Sequence, residues 1–415
     1  MTSDETLHEL EGQMTSDFSE AAGQCTIDRS VLVARAVRLR PLLADYAKQG
    51  ADDRRIPVES IAALREAGLF KVMLPRRYGG YEAGTRTSLD VMTAIAHGDG
   101  ATAWVASLAN HSAWDIGLCS TRVQDEVFGA NPDTLVCGSL PPTGTAVAVD
   151  GGVRLSGHWG YVSGSLHAQW AVLGFNVVDE TGAVVEAAIA PVPAADYTVH
   201  DTWFTAGMRG SGSNTLTADD VFVPNHRVVQ RARLNAGDYP TEHGDEVTYR
   251  SAWYATHTLG LVGPLLGLGL AALDHVRDVA GTKRIAGTVF SRQADSAGIQ
   301  MQLGDAALLI DTARMHARRA ADDLDAHAAR NEQPSFPIRA RVRADASRAA
   351  GQVVEAVNVL LNVHGSAGLV DASPLQRIWQ DANVAARHVS LIPGISYEVY
   401  GKALLGLPND VVLTL

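Results

Sequence analysis

The chain has 415 residues, 46% hydrophobic and 19% charged, which is ample for two or three cooperating domains around large cores. Its net charge of −12, with no cluster of Lys or Arg, argues against a nucleic-acid partner or an anionic membrane surface. Cys25, Cys119 and Cys137 are few, odd in number and without metal-ligand spacing, which points to a reducing compartment and no zinc site.

Residues 1–28 are polar and acidic, lack the basic and apolar regions of a signal peptide, and read as a disordered tail. The cytoplasm is the default location. From Arg29 the pattern turns helical. Pro57 sits at the start of a helix with Ile61, Leu64 and Ala67 on one face, and Gly68 ends it. A second helical stretch covers Ser88 to Ala109, interrupted or bent at Gly98-Asp99-Gly100, and a third begins near Thr121, where Thr121 and Gln124 have capping-box spacing. These helices form a first domain over 29–133.

From about Thr134 the period becomes that of strands. Thr145-Val149, Asp150-Gly151-Gly152 and Val153-Leu155 read as a hairpin. Ala171-Val178 and Val184-Ala190 read as another, and Thr215-Val223 as a strand closed by Pro224. Residues 134–240 are therefore expected to form a small β-barrel or sandwich. The helical period then returns for 241–415. Ile299, Leu303, Ala306, Ile310, Ala313, Ala317, Ala320 and Leu324 form one stripe, and four long helices fit, as in a four-helix bundle. The apolar stretch Thr258 to Leu273 is interrupted by Pro264 and four glycines, and is too short to span a bilayer. The fold class is mainly α with a central β-domain.

Four segments in order carry a family resemblance. They are Arg55 to Leu69 with Leu74-Pro75 and Tyr78-Gly79-Gly80; Gly157-His-Trp-Gly-Tyr-Val-Ser163-Gly164; Trp203 to Ser213 with Val221-Phe-Val-Pro224; and Trp379-Gln-Asp381-Ala382. Together they resemble the acyl-CoA dehydrogenase superfamily over nearly the whole chain. The resemblance implies a flavin on the middle β-domain and a bundle that builds a homotetramer. It implies that the side chain and backbone of Ser163 lie near flavin N5, with Trp159, Tyr161 and Gly164 as further cofactor contacts. By themselves, Ser163 fits a Ser-Gly turn, and Trp159 and Tyr161 fit a β-core equally well.

A dehydrogenase of this family needs a carboxylate base to remove a proton α to a thioester. The C-terminal segment Asn383 to Ser396 has no Asp or Glu, and neither has Arg250 to Leu273. Arg387-His388 stands there instead, which resembles the branch of two-component flavin monooxygenases. Those enzymes take reduced flavin (FAD or FMN) from a separate reductase and add O2 at C4a, and the resulting hydroperoxide donates oxygen. No Gly-x-Gly-x-x-Gly follows a strand, which fits a reductase in trans. His388 is the candidate catalytic group with Ser163, and Arg292 and Arg387 are candidate phosphate or carboxylate contacts. A structural histidine and surface ion pairs are the plainer alternatives.

Within that branch the ending Arg387 to Gly406 resembles amino-sugar N-oxygenases (nitrososynthases). This implies N-oxidation of a dTDP-linked deoxy-amino-sugar in natural-product (antibiotic) biosynthesis. A two-component hydroxylase of phenols or polyketides is the alternative. Arg314, Arg318 and Arg319 on one helix are candidates for a diphosphate, or a solvated face. Trp104, His111 and Trp114 are candidates for the substrate pocket, with core packing the plainer reading of Trp104. A dehydrogenase with its base displaced to Glu398 and a non-catalytic binding protein are the remaining readings.

Overall fold

The structure is a computed structural model and describes residues 27–415. The tail expected at the N-terminus, with Cys25, lies almost wholly outside the described residues. Helices α1 (Arg29–Asp53), α2 (Val58–Glu66), α3 (Thr85–Ala96), α4 (Gly100–Gly117) and α5 (Thr121–Gln124) come first. The bend expected at Gly98-Asp99-Gly100 is a full break. Asp99 caps α4 by accepting from the backbone N–H of Thr102 at 2.8 Å and from its hydroxyl at 2.6 Å. The capping box expected at Thr121 does not form. Ser120 is the N-cap, and the Gln124 amide instead donates to the carbonyls of Gly117 and Cys119.

Seven strands follow: β1 (Val136–Val149), β2 (Gly152–Val162), β3 (Trp170–Val178), β4 (Val184–Pro193), β5 (Thr198–His200), β6 (Asn214–Pro224) and β7 (Val229–Gln230). They make one sheet in the order β5-β6-β2-β1-β3-β4-β7, with β1 and β3 parallel. Both expected hairpins are present, closing at Val149↔Gly152 and Val178↔Val184. The sheet curls around its own core of Leu155, Trp159, Leu173, Phe175, Ala190 and Leu216.

Trp159 is fully buried there and donates its indole N–H to the Gly174 carbonyl at 2.7 Å. Gly144 and Gly157 make the slot, since a Cβ on either would come within 2.4 and 2.5 Å of the indole. Trp159 is therefore a core residue and not a cofactor contact: none of its surface is left for a ligand.

After α6 (Arg231–Ala236) come α7 (Trp253–Gly260), α8 (Val262–Ala280), α9 (Ala297–Ala329), α10 (Phe336–His364), α11 (Pro374–Ala385) and α12 (Pro393–Leu404). The predicted stripe on α9 is buried from Ala306 onward. The fourth bundle helix is split in two, between α11 and α12. Trp253 to Ala280 is longer than the sequence suggested, 28 residues and apolar enough to cross a membrane, yet 72% of its apolar window is buried inside the protein. Pro264 sits in the first turn of α8, where its missing N–H costs no hydrogen bond. The chain breaks at Leu261, between α7 and α8, while Gly267 within α8 is a contact point. A Cβ on Gly267 would lie 2.3 Å from the Thr93 carbonyl, so glycine lets α8 approach α3. One continuous core joins the first helices to the bundle, and the sheet holds its own.

Candidate active site

Helix α4 is apolar all round and almost wholly buried, so its few polar side chains must find partners inside the protein. Trp104 meets the sheet where β2 ends. Its indole N–H donates to Ser163 Oγ at 3.1 Å. Ser163 Oγ lies 2.7 Å from Ser213 Oγ, which lies 2.6 Å from Ser211 Oγ, and Ser211 donates to the Met208 carbonyl at 2.7 Å. The Ser163 backbone N–H is already given to the Tyr161 carbonyl, so the side chain is the donor or acceptor left beside it.

Tyr161 holds a left-handed φ of 63° and is 78% exposed, with its ring edge-on to Trp203 at 5.9 Å. A strained, open aromatic residue two positions from Ser163 is what a planar ligand would cover. Gly164 serves packing. Its N–H donates to the Ser211 carbonyl, and a Cβ there would lie 2.9 Å from Val105 of α4, so it is not a cofactor donor.

His388 lies in the turn after α11, its ring centroid 6.0 Å from that of Trp104. Its Nδ1 accepts the Ser390 N–H at 3.2 Å, and Ser390 Oγ is 2.9 Å from the Tyr254 hydroxyl. Burial, reinforced by the Arg343 guanidinium, lowers the His388 pKa to about 4. The neutral ring therefore carries its proton on Nε2, and His388 offers an N–H donor.

His111 is a second neutral imidazole. Its Nδ1 donates to the Ser107 carbonyl at 2.7 Å, and its Nε2 is buried with no partner. Burial, then the neighbouring His257, lowers its pKa to about 4. His257 stands 5.4 Å from the His111 ring and is paired with Asp115 at 2.9 Å. Gly260 makes room for this, because a Cβ there would lie 2.3 Å from the His111 ring. Trp114 is fully buried with its indole N–H on the Thr248 carbonyl, so it is core and not a substrate contact.

The arginines are engaged elsewhere. Arg292 is paired at 2.6 Å with Asp295 of its own loop, and Arg387 donates back to the Asn383 carbonyl at 3.0 Å. Arg314, Arg318 and Arg319 pair with Asp311, Asp90 and Asp345. Glu398 is exposed, on the side of α12 away from buried Ser396 and Val399, and is no candidate for a pocket base. Sequence reasoning missed Ser211, Ser213, Tyr254 and His257. The alternation Ser211-Gly-Ser213, and the three-residue spacing that puts Tyr254 and His257 on one face of α7, were the available signals.

Family descriptions of the N-terminal and C-terminal domains of acyl-CoA dehydrogenases match residues 34–128 and 259–393. The chain is 33% identical over 372 residues, 89% of its length and 97% of the relative's, to the flavin-dependent monooxygenase oxygenase subunit HsaA of Rhodococcus jostii strain RHA1. It is 31% identical to the oxygenase component of an FADH2-dependent resorcinol hydroxylase of Rhizobium sp., covering 91% of this chain and 94% of that one. The solved structure of XiaF from Streptomyces sp. in complex with FADH2 and glycerol superposes with a TM-score of 0.88 at 36% identity, over 93% of this chain and 98% of that one. With segments of the family signature at both ends and a flavin-monooxygenase relative along nearly its whole length, the chain belongs to the flavin-dependent monooxygenase oxygenase components of the acyl-CoA dehydrogenase superfamily.

Proposed function

We propose that this protein is the oxygenase component of a two-component aromatic hydroxylase, taking reduced flavin from a reductase and placing one oxygen atom on a phenolic ring. The observation that carries this reading is the neutral His388 imidazole, whose ring stands 6.0 Å from that of Trp104 and whose Nδ1 accepts from Ser390, so that its Nε2–H is left as a donor beside the Trp104–Ser163 hydrogen bond. Reduced flavin supplies the activation of O2. Ser163 and Tyr161 are positioned to hold its ring. His388 Nε2–H donates toward the oxygen being transferred.

The aromatic-rich surroundings formed by Trp104, Tyr254, His111 and His257 suit a flat, mostly apolar substrate. The amino-sugar expectation is less well supported: Arg314, Arg318 and Arg319 sit in ion pairs with Asp311, Asp90 and Asp345, which fits a solvated face. Relatives named for a resorcinol hydroxylase and a p-hydroxyphenylacetate 3-hydroxylase point the same way.

Met301, Leu308 and Met315, exposed at seven-residue spacing on α9, support self-assembly into a homotetramer, which light scattering checks.

The test is stopped-flow absorbance after mixing protein and reduced FAD or FMN with oxygenated buffer. A near-ultraviolet transient that outlives free reduced flavin and decays faster with phenols supports the proposal. Faster decay with amino-sugar nucleotides and not with phenols overturns the substrate class. Reoxidation at the rate of free flavin overturns the whole reading.

A further inference from the structure

Three hydrogen-bonding groups, Ser213, Ser211 and the Met208 carbonyl, lie in series behind Ser163, and their hydrogens can be counted. Ser211 Oγ is 2.7 Å from the Met208 carbonyl oxygen. A carbonyl cannot donate, so the Ser211 hydrogen must lie in that contact. Ser213 must then supply the hydrogen in its 2.6 Å contact with Ser211, and Ser163 the hydrogen in its 2.7 Å contact with Ser213. Trp104 Nε1–H occupies one Ser163 lone pair at 3.1 Å. The hydroxyl hydrogen points inward, and one lone pair remains for whatever stands before Ser163, which is 6% exposed.

We infer that Ser213, backed by Ser211 and the Met208 carbonyl, is a positioning residue that fixes the Ser163 hydroxyl as a hydrogen-bond acceptor, so that the site selects reduced over oxidised flavin. The inference rests on the flavin reading of Ser163 proposed above. Reduced flavin carries a hydrogen on N5 and can donate to Ser163. Oxidised flavin presents a lone pair at N5, and against a hydroxyl whose hydrogen is committed elsewhere the two lone pairs repel. A serine free to rotate would serve both states; this one is held to one role by two residues that need not touch the flavin.

The experiment is anaerobic titration of the full chain with oxidised FAD and with dithionite-reduced FAD, read by protein fluorescence and given as the ratio of the two dissociation constants. The wild type is expected to favour the reduced form by about tenfold or more, the scale of one hydrogen bond replaced by one repulsion. Ser213→Ala frees the Ser163 hydrogen to turn outward, and the preference is expected to shrink about 5- to 10-fold, chiefly through tighter oxidised binding. Ser213→Thr keeps the hydroxyl and should keep the preference. If Ser213→Ala fails to fold, Ser211→Ala is expected to shrink the ratio in the same direction by releasing the Ser213 hydrogen.

An unchanged ratio in a folded Ser213→Ala or Ser211→Ala protein overturns the relay, as does a wild type that binds both states equally. A protein that binds neither form of flavin instead overturns the flavin site itself.

Discussion

Trp104 and Ser163 belong to different halves of the molecule, a buried helix and the end of a strand, and are joined by a hydrogen bond of 3.1 Å. The bond holds the hydroxyl where the sheet meets α4 and sets one of its two lone pairs. Trp104→Phe keeps the packing and removes the donor. Affinity for flavin in both redox states is expected to fall about 5- to 10-fold, the usual worth of one neutral hydrogen bond, with the redox preference unchanged. Anaerobic flavin titration checks this. A variant that binds as the wild type does would show that the indole N–H contributes nothing.

His388 is expected to act through Nε2–H. His388→Ala should lower product formation by about 10²-fold, in the range seen when one preorganised donor is removed, and divert consumed oxygen to hydrogen peroxide. His388→Gln, which can place an amide donor there, should recover part of the coupling. The ratio of hydroxylated product to oxygen consumed is the measurement, and full coupling in His388→Ala would make His388 structural.

The lowered pKa of His111 makes stability depend on pH. Between about 4, its folded value, and its unfolded value of 6.5, the unfolded chain binds the extra proton, so acid favours unfolding. The stability contributed by the neutral ring is fully present above 6.5 and is lost as pH falls toward 4. The full shift corresponds to at most about 3 kcal/mol. His388, shifted in the same direction to about 4, adds to the slope. Thermal melts from pH 7.5 to 5 should show a falling midpoint, and His111→Phe a shallower fall. An equally steep slope in the variant would assign the dependence to other groups.

Gly207 lies where the turn before Met208 presses on α11, and a Cβ there would come 2.2 Å from the Gln380 carbonyl oxygen. Gly207→Ala is expected to push the turn away and break the 2.5 Å hydrogen bond from the Met208 N–H to Asp381. The expected cost is about 2 kcal/mol or more, since a buried backbone donor loses its partner. Denaturant unfolding reads this directly, and a loss of unfolding free energy of under about 0.5 kcal/mol would show that the turn gives way freely.

The order of helices, strands and helices was legible because their periods differ, and both hairpins were legible from their turns. The interruption expected from Pro264 and the glycines of Thr258 to Leu273 is the break at Leu261 between α7 and α8, whereas sequence does not reveal that Gly267 lets another helix within backbone contact. Trp159 illustrates the same limit: its neighbours in sequence suggested a ligand, and its neighbours in space are three glycines. At the site, Ser163, Tyr161, Trp104 and His388 were visible from pattern and resemblance. The assignment of donor and acceptor was not. It depends on which carbonyl or N–H faces each ring or hydroxyl, and those partners, Ser107, Ser390 and Met208, come from turns and helix geometry that residue identity leaves open.

The clasp between Asp381 and the Met208 N–H has one more consequence. Asp381 lies seven residues before His388, on the helix whose end carries that histidine, while Met208 leads into Ser211 and Ser213 on the sheet. Burial and the nearby Asp99 carboxyl raise the Asp381 pKa to about 7, so the clasp changes charge near neutrality while its backbone partner stays neutral. The two halves of the candidate site are thus moored to each other at a point apart from Ser163 and His388. Distance between the Ser163 hydroxyl and the His388 ring becomes a property of how sheet and helix are berthed, and it can drift without either losing its own shape.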